Sequence, residues 1–209
     1  MQNVKLLIAT LVGTLVLIFG IGFFLSQDFS GATQEVSDQS QLVTETPHLK
    51  GATESARFTL VEFSDFQCPA CAATEPQIAS ILEEYPDVAF VYRHYPLRTI
   101  HPNAESSAWA SEAAAMQGKF WEMHDALFAR QAEWSELTDA SEYYLGLAVE
   151  LGLDGEQFED DYVGQAVKER VAEDLRAAEQ LRLNSTPTFF LDGQKMSITQ
   201  VRNTLQQNY

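Results

Sequence analysis

The feature that most restricts what this chain can fold into is a pair of cysteines. Cys68 and Cys71 are the only two in 209 residues, separated by Pro69 and Ala70. Phe58-Thr59-Leu60-Val61-Glu62-Phe63 before them is rich in β-formers and reads as a buried strand. Ile78, Ile81 and Leu82 after them have helical spacing, with Pro76 expected to kink the helix. Two intervening residues at a strand-to-helix junction put both sulfurs on one turn, within disulfide reach. The free N–H groups and positive dipole end of the helix favour a thiolate at Cys68. Pro69 suits the first turn, where its missing N–H costs nothing. The pair therefore reads as a redox dithiol. As a permanent disulfide it would close so short a loop that the unfolded chain is barely constrained. As a zinc site it would need two more ligands, and His48, His94, His101 and His124 form no paired ligand motif.

The rest of the domain alternates element types. Val88–Arg93 reads as a second strand, and from Asn103 to Leu183 the pattern turns helical. Asn103 is expected to cap the first of these helices, which ends near Gly118. Thr188-Phe189-Phe190-Leu191 is a strand, Asp192-Gly193 a hairpin turn, and Gln194-Lys195-Met196 the returning strand. Ser197 to Gln200 forms a capping box for a last helix. Trp109, Trp121 and Trp134 read as core, His124 as structural, and His94 and His101 as solvated loop residues. Asp65 could solvate the turn before the dithiol. Glu159-Asp160-Asp161 lacks EF-hand spacing and reads as a solvated face. The fold class is thus α/β, with a helical insertion at about 103–183.

Leu6–Leu25 holds twenty residues without charge or proline. As a helix this run spans ~30 Å, one hydrocarbon core. It exceeds the apolar region of a cleaved signal, and no A-x-A pattern follows it, so residues 1–25 read as an uncleaved anchor. Lys5 before the run directs the N-terminus to the cytoplasm and the remainder outside. Residues 26–47 are polar and acidic and read as a tether, leaving 48–209 as the globular domain. With 13 Lys and Arg against 30 Asp and Glu, the net charge of −17 repels phosphate backbones and excludes nucleic acid as a partner.

Glu62-Phe-Ser-Asp-Phe-Gln-Cys68-Pro-Ala-Cys71, with Ser185-Thr-Pro-Thr188 downstream, resembles the DsbA-like branch of the thioredoxin superfamily, in particular its membrane-anchored BdbD-like type. The resemblance implies a thioredoxin fold with an inserted helical domain, here preceded by the N-terminal transmembrane helix. It implies that Cys68 attacks, that Cys71 is the buried partner, and that Glu62 is a buried acid passing protons to and from the Cys71 sulfur. Periodicity alone leaves Glu62 on either face of its strand. It implies a cis Pro187 facing the dithiol, with Thr186, Pro69 and Ala70 lining the place where a substrate segment lies. No cofactor beyond the Cys68–Cys71 disulfide is expected, and no metal.

The activity so implied is extracytoplasmic disulfide formation in secreted or envelope proteins, by a single-pass, monomeric membrane protein. Its partners would be thiol-bearing clients and a quinone-coupled, DsbB-like or VKOR-like membrane protein that reoxidises it. A reductase of extracytoplasmic clients, or a peptide-binding chaperone on the same fold, are the alternatives. An isomerase fits poorly, because the tether is too short and polar to act as a dimerisation domain.

Overall fold

A computed structural model describes residues 35–52 and 56–209. The expected membrane helix at Leu6–Leu25 lies outside the described residues. Among the described residues no helix is long and apolar enough to cross a membrane.

Five strands form one sheet in the order β1-β3-β2-β4-β5, where β1 is His48–Gly51, β2 Phe58–Ser64, β3 Val88–His94, β4 Thr188–Leu191 and β5 Gln194–Met196. β2 and β3 run parallel, joined by helix α1 (Pro69–Glu84), and the remaining pairs are antiparallel. Helices α2 (Ala104–Met116), α3 (Phe120–Ala129), α4 (Gln131–Trp134), α5 (Ser141–Glu150), α6 (Gly155–Val163) and α7 (Gln165–Gln180) lie between β3 and β4. The hairpin then leads to α8 (Ile198–Asn208). Asp192 and Gly193 both take positive φ, 49° and 87°, as a two-residue hairpin turn requires. Ser197 and Gln200 make the expected capping box.

Strand alternation sends side chains to two cores. Leu60, Phe90, Tyr92, Phe189 and Leu191 join the larger one, with Ile78 and Ile81 of α1, Met123 and Leu127 of α3, and Val201 and Leu205 of α8. Val61, Phe63, Val91 and Phe190 join the other, against Ala178 of α7.

Three features differ from expectation. The segment read as a tether is folded from Glu35 onward: Val36 and Leu42 are buried in the second core, and Val36 N–H donates to Gly193 O at 2.8 Å. Strand β1 carries too few residues to show a pattern and exists through its pairing with β3. Asn103 precedes α2 without capping it. Its side-chain amide instead donates to Leu137 O at 2.7 Å, which ties two loops together. The helix α1 continues through Pro76 to Glu84.

One buried ion pair pins these parts. Arg93 of β3 donates through Nε to Asp174 Oδ1 of α7 at 2.6 Å and through Nη1 to Leu42 O at 2.7 Å. Asp174 Oδ2 accepts from the His94 amide at 2.9 Å. Both side chains are almost wholly enclosed. Breaking such a pair strands a charge, so Asp174→Ala is expected to lower stability by ~3–5 kcal/mol. Urea unfolding measures it, and a loss below ~1 kcal/mol, the scale of a surface pair, would contradict the structural role.

Candidate active site

β2 ends at Ser64, and a turn delivers Cys68 to the N-cap of α1 with Pro69 in the first turn. The turn is held from several directions. Asp65, expected at a solvated turn, is buried and accepts from the Gln67 and Leu97 amides at 2.8 and 3.0 Å and from His101 Nδ1 at 2.7 Å. Gln131 of α4 donates to Phe66 O at 2.7 Å and Cys68 O at 3.1 Å. The helical insertion thus clamps the dithiol loop through groups that no local motif marks.

Cys68 is 7% exposed and Cys71 is fully buried, and both are free thiols. Pro69 and Ala70 are exposed beside them. The Thr186–Pro187 bond is cis, and Thr186 O lies 3.7 Å from Cys68 Sγ. The structure therefore brings Cys68, Cys71, Thr186 and Pro187 to one place. A hydrogen bond from the Cys71 thiol is the main influence on Cys68. Burial opposes it, while Thr186 and the Cys71 and Ala70 amides add to it, and the Cys68 thiol is pushed down to about 5. Burial, donation to Cys68 and the nearby Glu62 raise Cys71 far above an ordinary thiol. One sulfur is thus a ready nucleophile at neutral pH and the other a held proton.

Glu62 is fully buried, on the strand face that points toward α1. Burial, followed by repulsion from Glu75, pushes its carboxyl well above the usual range. Ser64 Oγ donates to its Oε1 at 2.9 Å. Glu62 and Tyr92 are register partners on adjacent parallel strands, so they share that face.

The histidines depart from the sequence expectation. His94 is buried at the end of β3, and His101 is bound to Asp65, so neither is a solvated loop residue. His48 and His94 both reach Glu112 Oε1 through Nε2, at 2.7 and 2.8 Å. These three could offer ligands to a metal. The Arg170 guanidinium 4.0 Å from the same oxygen already supplies positive charge there. His124 is buried among aromatic rings, as a structural residue would be. Beside Pro69 a groove of about 360 Å³ is lined by Gln67, Ile100, His101, Gln131 and Leu137, with Ile100 and Leu137 exposed.

The family described as Thioredoxin matches residues 43–207. A thioredoxin-like oxidoreductase from Silicibacter pomeroyi DSS-3 superposes with a TM-score of 0.67 at 26% identity, covering 82% of this chain and 98% of that one. BdbD from Bacillus subtilis gives 0.68 at 18% identity, covering 84% and 96%, a likeness of fold. In sequence, the Na(+)/H(+) antiporter NhaA 3 of Salinispora tropica is 42% identical over 148 residues, 71% of this chain but 22% of that protein. The chain therefore spans about a fifth of the length of the curated relatives it matches.

Proposed function

This chain belongs to the thioredoxin family, and from that premise we propose that it is a thiol–disulfide oxidoreductase of DsbA type that introduces disulfides into proteins outside the cytoplasm. The observation that carries the direction is the Cys68 thiol, pushed down to about 5. A stabilised thiolate favours the reduced form, so the disulfide is a stronger oxidant. One pKa unit is ~1.4 kcal/mol, which is ~30 mV for this couple. Two units below a thioredoxin-type nucleophile titrating near ~7 raise the potential by ~60 mV, from about −270 to about −210 mV.

A client thiolate attacks Cys68 Sγ of the disulfide and Cys71 leaves. Its sulfur takes a proton from Glu62, whose carboxyl is held protonated by burial. A second client thiolate then attacks the client sulfur and releases Cys68 as a thiolate. Thr186 supplies backbone beside Cys68 for an extended client segment, and Ile100 and Leu137 offer it an apolar rim. Anchoring through Leu6–Leu25 as a monomer, and reoxidation by a quinone-coupled membrane protein, complete the proposal.

The reduction potential of the full-length protein against a glutathione buffer, with oxidation of a reduced unfolded client, tests it. A value near or above −210 mV with client oxidation is expected. A value near −270 mV or below makes the protein a reductase, and inert thiols would make it a binding module.

A further inference from the structure

A cavity of about 630 Å³ opens between α1, α3 and the β1 and β3 strands. Its walls are mostly apolar: Ala72, Ala79 and Leu82 of α1, Phe90 of β3, and Trp121 and Phe128 of α3. Small-molecule sites have this size and join apolar walls to a few convergent polar groups. Two such groups line this cavity, and each has a buried atom without a protein partner: His124 through Nε2 and Glu75 through Oε1. His124 is 1% exposed, and its Nε2 lies 4.0 Å from Glu75 Oε2. Burial holds His124 below its ordinary value, so the ring is neutral. With Nδ1–H donated to Asp125 Oδ1 at 2.8 Å, Nε2 presents a lone pair. Two adjacent acceptors therefore face an apolar cavity and lack a donor.

We propose that this cavity binds a small amphipathic primary amine. Its ammonium donates to the Glu75 carboxylate and to His124 Nε2, and its aromatic body packs among Phe90, Trp121 and Phe128. One ammonium carries three donors, so it reaches both acceptors at ~2.9 Å and keeps one N–H for water. The surroundings favour a cation over a neutral donor. Among the described residues Glu75 pairs with no Lys or Arg. The nearest cation is Lys50, tied to Asp125 at 3.2 Å, and both are substantially exposed, so this pair marks the solvent end. Lys50 Nζ lies 5.0 Å from the Trp121 ring centre, and this aromatic wall thus already takes a cation. The net charge of −17 concentrates amines at the surface. Neither Cys68 nor Cys71 lines the cavity, and the site stands apart from the exchange reaction.

The charged and titratable groups facing the amine are Glu75 and Glu83 of α1, His124 and Asp125 of α3 and Lys50 of β1. Glu62 of β2 and Tyr92 and His94 of β3 lie within electrostatic reach of Glu75 or His124. Burial, together with the Asp125 charge, brings Glu75 up to about 7 against the pull of Lys50. An ammonium favours the ionised carboxylate, so the proton that half the molecules carry at pH 7 leaves as the amine enters. Affinity therefore rises with pH through about 7 and levels off above it. The alkylammonium titrates near ~10.4, as a lysine does, and keeps its charge throughout.

Calorimetric titration of the full-length protein with tryptamine at pH 6, 7 and 8, in two buffers of different ionisation heat, tests the site. One-to-one binding is expected, roughly tenfold weaker at pH 6 than at pH 8, with release of about half a proton at pH 7. Tryptophol and indole-3-propionate carry a hydroxyl and a carboxylate in place of the ammonium and should bind roughly tenfold more weakly or not at all. Glu75→Gln should weaken tryptamine by roughly tenfold and remove the pH dependence. Ala79→Trp, at an exposed position on the cavity wall, should abolish binding by filling the space. Equal binding of the three indoles would overturn the amine assignment. Binding that survives Ala79→Trp would place tryptamine on the acidic surface, and no saturable binding would leave the two acceptors to water; either result overturns the site. If Glu75→Gln misfolds, Ala79→Trp and the pH profile decide. Client oxidation is measured without the amine, so its failure rejects the exchange reading and leaves this site standing.

Discussion

Cys68→Ala is expected to reduce client oxidation to the uncatalysed rate. The reason is the inequality of the two sulfurs. Cys68 sits at the helix N-cap, receives hydrogen bonds from the Cys71 thiol and the Ala70 and Cys71 amides, and is ionised at neutral pH. Cys71 is fully buried and its thiol is raised far above neutrality, so it cannot take over the attack. No third thiol exists in the chain. Cys71→Ala should behave differently. Its Cys68 still attacks a client disulfide, but the mixed disulfide is not resolved from within and accumulates. Its Cys68 thiol should also titrate higher, because the largest stabilising donor is gone. Turnover assays and non-reducing gels distinguish the two variants. Residual turnover in Cys68→Ala would refute the assignment of the nucleophile.

The reduced protein should be more stable than the oxidised one, by a margin that depends on pH. Cys68 has a folded value of about 5, below the ~8.5 of an unfolded thiol. A depressed value contributes stability that is complete above ~8.5 and is lost as pH falls through about 5. Cys71 acts with the opposite sign. Its raised folded value contributes stability below ~8.5 that is lost at higher pH. The reduced-minus-oxidised margin should therefore climb from pH 5 to a maximum near ~8.5 and decline beyond it. Full linkage over this range is ~5 kcal/mol. Water at the mouth of the site screens the thiolate and brings the expected gain to about 2–3 kcal/mol. Urea unfolding of both redox forms at pH 5, 7 and 8.5 measures the margin. A difference that does not vary with pH would show that Cys68 is an ordinary thiol.

The dithiol and its immediate setting were legible because their physics is local. A strand pattern, Cys68-Pro69-Ala70-Cys71 and a helix within some thirty residues determine which sulfur meets the helix N-terminus. The Asp192-Gly193 turn and the Ser197–Gln200 capping box are equally short-range and appear where expected. Burial of Glu62 was implied by resemblance and decided by the sheet, since alternation does not say which face is covered. The folded stretch from Glu35, the edge strand β1, the clamp by Asp65 and Gln131 and the Arg93–Asp174 pair all depend on partners distant in sequence. So does the proximity of Glu62 and Tyr92 to Glu75, and of Tyr92 and Glu75 to His124, on two strands and two helices. The sequence by itself determined the nucleophile and the strand–helix junction that activates it. Only the tertiary structure decided that Glu62 is the buried acid beside the second sulfur, because its burial and proximity arise from packing α1 against one face of the sheet.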